Sequence, residues 1–506
     1  MHLIQRHLRL AVLLPLLVLT ACGGGDQASV ETDPSAMESP GGKGRWDEAG
    51  CSPLPLGPTR AGGDLVLALG EAVDPAHAPV PVTAAERTVF ANCYETLTRV
   101  TCEGIVQPGL AEHWERLDNG RRWRLTLREG AVFWDGSPVT SRNVVQSWSR
   151  NGNLALATGL PGPDLWLAPG GRGLVVQSAR ILEIHLGEPQ DDLPSLLAHP
   201  ALAIATIRQG WLWPVGSGPC RLAADTTQPI PDLVCRPNLH HPEYPTWTSL
   251  TFRILPGADD RDLLNDADLA VIRNRHAAAY YQEIEGVQSG PLPFDRLYVL
   301  LVPPQSGLDT EAAFQADHGT VTPAESRDTR SLDFHGCRPL SCPQLHGPTL
   351  GLSSPLLDPD PALNALVERR LVFAANDPDA LALAERVDAF LEANLELHAA
   401  RGLDLGRDLL NGRAAAYVVK LEAQFPTACL TMASLLARAD WLQQRVSQEI
   451  DACAASKELA RDGLVVPLVQ TRQRLVWRGP LTGLRLAHDG ALLVGGLGPA
   501  PEEITP

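Results

Sequence analysis

The sequence predicts a mixed α/β protein of two or three lobes, on three observations. Residues 108–148 read as a β-hairpin feeding a capped helix. Residues 372–403 run strand, helix, strand, the order of a second α/β unit. The chain of 506 residues, less a leader and the linker after it, leaves enough length for two or three lobes with sizeable cores.

His2, Arg6, His7 and Arg9 make a basic start, and Leu10 to Leu19 form an apolar run too short to stay in a bilayer as a stable helix. The run ends Leu19-Thr20-Ala21-Cys22, followed by three glycines, and resembles a bacterial lipobox in which Cys22 becomes the lipidated first residue. An ordinary signal peptide (1–21) with an incidental cysteine is the alternative. Residues 22–61 are rich in Gly, Pro, Ser and acids without periodicity, which predicts a disordered tether. No later apolar run has spanning length, so the mature protein is expected to be soluble on a lipid anchor.

Order is expected from Gly63-Asp64, with a strand over Leu65 to Leu69 and a helix from Thr83. In the hairpin, Asn119-Gly120 supplies the φ > 0 residues of a tight turn. Trp123, Leu125 and Leu127 then alternate with Arg122, Arg124, Thr126 and Arg128, the period of a half-buried strand. Asp135-Gly136 makes a second turn, and Thr140 or Ser141 caps a helix that buries Val144, Val145 and Trp148. Leu174 to Val176 and Leu182 to Leu186 read as another strand pair, with a helix opening at Leu193. Further on, Gly216 and Gly218 allow close backbone approach, and Pro219 forbids a central-strand hydrogen bond. Leu250 to Leu255 and Leu297 to Val302 read as strands. Ala380 to Leu395 has helical spacing between strands at Val372-Phe373 and Leu403. Leu464 to Leu468 and Leu481 to Leu497 are the late apolar segments.

A formal charge of −17 argues against a nucleic-acid partner, which needs a basic footprint. Without Arg6 and Arg9 of the leader, 40 basic side chains face 59 acidic ones. No catalytic constellation stands out: HExxH, P-loop and GxGxxG patterns are missing, and Gly216-Ser217-Gly218 is not a nucleophile elbow. His240-His241, the one histidine doublet, reads as a solvated loop rather than a metal site. No enzyme activity, metal or cofactor is expected.

Ten cysteines less Cys22 leave nine. Their spacings suggest the pairs Cys93 with Cys102, Cys220 with Cys235, Cys337 with Cys342 and Cys429 with Cys453, with Cys51 left over in the tether. Cys220 and Cys235 are the best supported, because they flank two strands that read as antiparallel. Buried free thiols are the alternative for several of the others.

Taken together, the order "LAE.W…DG..W.F.LR.G..F.DG.P.T…V..S" in residues 110–147 resembles the dipeptide, oligopeptide and nickel class of extracytoplasmic solute-binding proteins, the receptors of ABC importers. Asn119 and Asn143 stand where that class usually has Asp. Val73-Asp74-Pro75, Cys93 to Leu97 and Val215 to Cys220 are similar to the class's "LDP", "YE.L" and "GTGPY" segments, with Cys220 in place of Tyr. The match is close over Gly63 to Val271 and thins beyond Arg273.

The resemblance implies a periplasmic-binding-protein-like fold of the class II type, with an extra subdomain in the first lobe. Lobe I is expected over 62–272 with its insertion at about 83–205, lobe II over 273–463, the return to lobe I over 464–500, and a tail over 501–506. It implies a monomer that closes on a peptide or other small solute and docks on membrane permease subunits. The ligand is expected against Ala72, Val73, Asp74, Tyr94 and the Gly216, Ser217 and Gly218 backbone. Trp211 and Trp213 are placed to stack on it or to pack in the core. Peptide-binding relatives offer a carboxylate to the ligand's α-amino group from the second lobe; the nearest candidate is Glu422, for which a solvated helix face is the alternative. A ligand sensor or surface interaction protein that keeps the fold without transport is the competing function.

Overall fold

The computed structural model describes residues 51–501 apart from 56, 159–172, 188, 223–231, 244, 274, 309–325, 329–366, 376, 423–434, 436–438, 444–458 and 460–461. Cys22, Cys337, Cys342, Cys429 and Cys453 lie outside the described residues.

Strand β1 (Asp64–Leu69) leads to helix α1 (Ala84–Cys93). A capping box starts the helix: Thr83 Oγ1 accepts from Glu86 N at 3.1 Å, and the Glu86 carboxylate accepts from Thr83 N at 3.3 Å. Strands β2 (Thr98–Val100) and β3 (Val106–Pro108) precede the hairpin of β4 (Ala111–Leu117) and β5 (Arg122–Leu127). As the dipeptide requires, Asn119 and Gly120 turn the chain at φ 53° and 84°. Trp123, Leu125 and Leu127 are buried while Arg122, Arg124 and Thr126 are half-buried. Helix α2 (Ser141–Thr158) follows, with Asn143 Oδ1 accepting from Thr140 N at 2.9 Å, so an amide does the capping work of the usual carboxylate. Strands β6 (Gly173–Val176) and β7 (Ile181–His185) complete a four-stranded antiparallel sheet in the order β4-β5-β7-β6. The short α3 (Leu193–Leu196) buries all four of its residues.

The large sheet adds to β1 the strands β8 (Cys220–Leu222), β9 (Asp232–Pro237), β10 (Ser249–Ile254), β11 (Leu269–Ile272), β12 (Val287–Leu301), β13 (Ser326–Asp328), β14 (Glu368–Ala374), β15 (Glu396–Ala400), β16 (Ala414–Glu422) and β17 (Val465–Arg478). Between them lie helices α4 (Arg275–Gln282), α5 (Pro378–Leu391), α6 (Gly402–Asn411) and α7 (Asp440–Gln443). One sheet joins these strands in the order β15-β14-β16-β12-β17-β11-β1-β10-β9-β8, with β13 also on β17.

Two lobes hang on the long antiparallel pair β12 and β17. Residues 287–291 pair with 474–478 beside β11, and residues 296–301 pair with 465–471 beside β16. Between them the register shifts at Pro291/Phe294 and Phe294/Arg296, and such bulges bend a strand. The cores change at the same point. On the first side, Leu475 and Trp477 pack with Leu67 and Phe252, while Val476 packs on the opposite face with Ala68 and Tyr281 of α4. On the second, Leu297 and Val299 pack with Leu409 of α6, and Tyr298 and Leu300 with Leu383 of α5. Each half-sheet is covered on both faces, as parallel strands require.

Three sequence expectations change. Leu403 belongs to α6, not to a strand; the strand parallel to β14 is β15, and Gly412 in the left-handed region ends the helix. Residues 51–55 and 57–61, expected within the tether, lie against the first lobe: Leu54 is buried, Leu486 N donates to Cys51 O, and Arg60 N donates to Pro499 O. Cys102 consequently bonds Cys51 rather than Cys93, whose side chain at the end of α1 points into the core as a free thiol. Cys220 and Cys235 are joined across β8 and β9, as expected.

Candidate functional site

Helix α1 gathers the residues singled out in the sequence, but at its two ends. At its start, the turn after β1 is tied down by Glu86, whose buried carboxylate accepts from Asp74 N at 2.9 Å and Val82 N at 2.7 Å and meets His77 Nδ1 at 2.7 Å. Thr83 Oγ1 donates to Ala72 O, Asp74 caps the turn at Ala76 N, and Val73 packs on the core. Ala72 and Asp74 are exposed.

At the other end, roughly 15 Å away by helix rise, Tyr94 is buried and donates to Pro214 O at 3.2 Å. Its ring meets Phe90 edge-on and lies tilted 5.9 Å from Trp134. Trp213 packs on Phe90 in the core, while Trp211 is exposed. The Gly216–Gly218 turn presses on the helix end: a Cβ on Gly216 would stand 2.1 Å from Cys93 O, and one on Gly218 2.6 Å from Asn92 O. Asn238 Nδ2 holds the turn through Ser217 O and Gly218 O. Ser217 itself is buried.

The middle of α1 faces the second lobe through a residue the sequence reading passed over. Arg87, with its side chain 2% exposed, donates from Nη1 to Asp489 O at 2.9 Å, while Nη2 lies 3.3 Å from Glu422 Oε2 and 3.8 Å from Asp295 Oδ2. Glu422 is thus no solvated helix residue: it ends the central strand β16 with its side chain 11% exposed. Its other oxygen meets Lys420 Nζ at 3.0 Å, and Lys420 also approaches Asp377 Oδ2 at 3.6 Å. Tyr298 donates to that same Asp377 carboxylate. On the crossing strand, Arg296 Nε lies 3.3 Å from Asp295 Oδ1. Burial alone pulls the basic groups of Arg87 and Lys420 down, but Glu422 and its acidic neighbours outweigh it, so both pKa values are raised. Asp379 goes up, because burial outweighs Arg296.

Beside this charged junction lies a small, partly open pocket of about 20 Å³, bounded by Glu71, Arg87, Thr88, Arg273, Asp295 and Gln473. That is room for about one water. A larger hollow of about 700 Å³ opens beside β8 and β9 and is bounded by Trp134, Arg221, Arg236, Leu239 and Trp247. The two share no lining residue. Size favours the hollow. Chemistry favours the junction, where buried charges converge from both lobes, whereas Arg221 and Arg236 are exposed. We take the junction as the candidate site.

Outside it, His240 is exposed, but His241 turns its ring inward to stand 3.4 Å from Glu95 Oε1, contrary to the expected solvated doublet. Burial pushes Glu95 up, yet the hydrogen bond from His241 and the charge of Arg128 hold it below the usual carboxylate range. Cys51, Cys102 and Glu103 come within metal-ligating distance of one another, but the two sulfurs are spent on their own bond. No helix among the described residues is long and apolar enough to cross a membrane.

Residues 106–289 match the model of the bacterial extracellular solute-binding proteins, family 5 Middle. The periplasmic oligopeptide-binding protein OppA of Salmonella typhimurium is 30% identical over 138 residues, 23% of this chain and 24% of that protein. The chain spans about a quarter or less of the length of the curated relatives it matches. In fold the likeness extends over most of the chain. The Escherichia coli murein tripeptide binding protein MppA superposes with a TM-score of 0.61 over 87% of this chain and 99% of its own, at 18% identity. The dipeptide binding protein of Pseudoalteromonas sp. SM9913, in complex with Met-Leu, gives 0.62 over 86% and 100%, at 14% identity.

Proposed function

We propose a solute-capturing role for this chain, which belongs with the bacterial extracellular solute-binding proteins of family 5. In this reading it binds a peptide or peptide-like small solute between its lobes, outside the cytoplasm, and hands it to an ABC permease. The observation that carries it is the meeting of Arg87 from lobe I with Glu422 from lobe II beside the junction cavity. Opening about the bulges at 291–296 would part these two groups. A zwitterionic ligand then restores both partners, its carboxylate on Arg87 and its ammonium on Glu422. The expected contacts Ala72 to Asp74 at the head of α1 belong to the same proposal, whereas Tyr94, Trp213 and Gly216–Gly218 are packed at its foot and line neither hollow. Lipid anchoring through Cys22, a monomeric state and delivery to a permease belong to the same proposal. So does the lobe division at 272 and 463, although the packing of α4 and of residues 287–291 with β11 and β17 supports moving the first boundary to 293–296.

A second reading has its own support. The junction is already closed by the protein's own ion pairs and leaves room for about one water, which suits a sensor or surface interaction protein that has kept the fold and lost transport. Mass spectrometry of ligand retained through native purification, with thermal-shift screening of di- to pentapeptides, separates the two. Saturating peptide should raise the melting temperature under the first reading. Silence across peptides, sugars and metals removes it.

A further inference from the structure

Cys93 is the last residue of α1, and its Sγ stands 3.6 Å from Cys220 Sγ. Cys220 is itself bonded to Cys235 across β8 and β9. All three side chains are fully buried. Three sulfurs therefore share one site, and the middle one has two partners within reach. The backbone holds them there: Gly218 N donates to Cys93 O at 3.1 Å, and the Gly216 backbone lies against the same oxygen. A thiol beside a disulfide is the reactant pair of thiol–disulfide exchange.

We propose that Cys220 is a branch point between two alternative disulfides, Cys220–Cys235 and Cys93–Cys220. The Cys93 thiolate attacks Cys220 Sγ, the bond to Cys235 breaks, and the Cys235 sulfur leaves as a thiolate that takes up a proton in place of the one Cys93 released. The exchange consumes no oxidant or reductant. Burial pushes the Cys93 thiol up, so thiolate is scarce at neutral pH and the exchange quickens in alkali. The two bonds staple different things. Cys220–Cys235 closes the hairpin of β8 and β9, 15 residues apart. Cys93–Cys220 ties the foot of α1, the helix that carries Arg87, to the start of β8, 127 residues away.

The test is disulfide mapping by mass spectrometry after acid trapping with an alkylating agent. Cys235→Ser, oxidised with a small-molecule disulfide, should yield a Cys93–Cys220 linked peptide with neither cysteine alkylated. Wild-type protein held at about pH 9 with a catalytic amount of a small thiol should yield the same linked peptide together with alkylated Cys235, and Cys93→Ser should yield none. If the Cys235→Ser chain does not fold, the wild-type arm decides alone. Alkylated Cys93 and Cys220 in folded Cys235→Ser, or wild-type protein that retains only Cys220–Cys235 in alkali, overturns the proposal.

Discussion

Arg87 Nη2 on α1 lies 3.3 Å from Glu422 Oε2 at the end of β16, a pair 335 residues apart that joins the two lobes. Both side chains are nearly withdrawn from solvent, at 2% and 11% exposure. Desolvating two charges costs more than an exposed ion pair returns, so the arrangement persists only because each charge has further partners. Arg87 has Asp295 and Asp489 O, and Glu422 has Lys420.

Removing one member should therefore leave the other's buried charge without its nearest counter-ion. Glu422→Gln is expected to lose about 3 kcal/mol, the low end for breaking a buried pair because Asp295 still faces the guanidinium. The double variant Arg87→Gln/Glu422→Gln should lose clearly less than the sum of the two single variants. A double-mutant cycle from chemical denaturation reads the coupling, and simple additivity would show that the pair does not link the lobes.

Two glycine substitutions should act with opposite sign. Gly216→Ala puts a Cβ 2.1 Å from a backbone oxygen that cannot move without shifting α1, and should destabilise by about 3 kcal/mol or more. Gly406, inside α6, has nothing within 4 Å of its Cβ position, so Gly406→Ala should stabilise by about 0.5–1 kcal/mol. Unfolding midpoints in urea measure both.

The Cys51–Cys102 bond closes a loop of 51 residues. On the chain-entropy model, Cys51→Ser should cost about 4 kcal/mol and free the segment around Leu54 to early proteolysis. Cys93→Ser should leave this bond intact. Limited proteolysis with peptide mapping distinguishes the two; an unchanged cleavage pattern in Cys51→Ser would mean that the segment is held by its packing alone.

Acid should weaken the fold through His199. Burial, and secondarily His488, holds its pKa well below the ordinary value, and its Nδ1 accepts from Ala201 N at 3.1 Å, which requires the neutral ring. Below about pH 6.5 the unfolded chain binds a proton that the folded one refuses. Stability should then fall by up to about 1.4 kcal/mol per pH unit as pH drops through that window. His199→Asn should flatten this part of the profile, read as denaturation midpoints between pH 7.5 and 5.

Much of the first lobe could be read from the chain because its signals are local. Asn119-Gly120 turns a hairpin, Thr83 and Glu86 cap α1 within one turn, and the alternation through Trp123, Leu125 and Leu127 sets the buried face of β5. Each depends on residues a few positions apart. Glu86 was not singled out, although it follows Thr83 by three residues, and its second task of holding the Asp74 turn depends on how the chain folds back.

The kind of elements, the α/β class and the family likeness are carried by short-range periodicity, caps and turns. Which charges meet depends on the order of the folded sheet. Arg87, Asp295 and Glu422 come from a helix, a crossing strand and a strand of the second lobe, and as isolated letters they are indistinguishable from surface charges. The same holds for Cys51, which looked like a leftover in a tether until the packing of Leu54 brought it to Cys102. The physical reason is common to both. A local signal is satisfied wherever the segment goes, whereas a buried ion pair or a disulfide exists only after the whole sheet order has placed its two ends side by side.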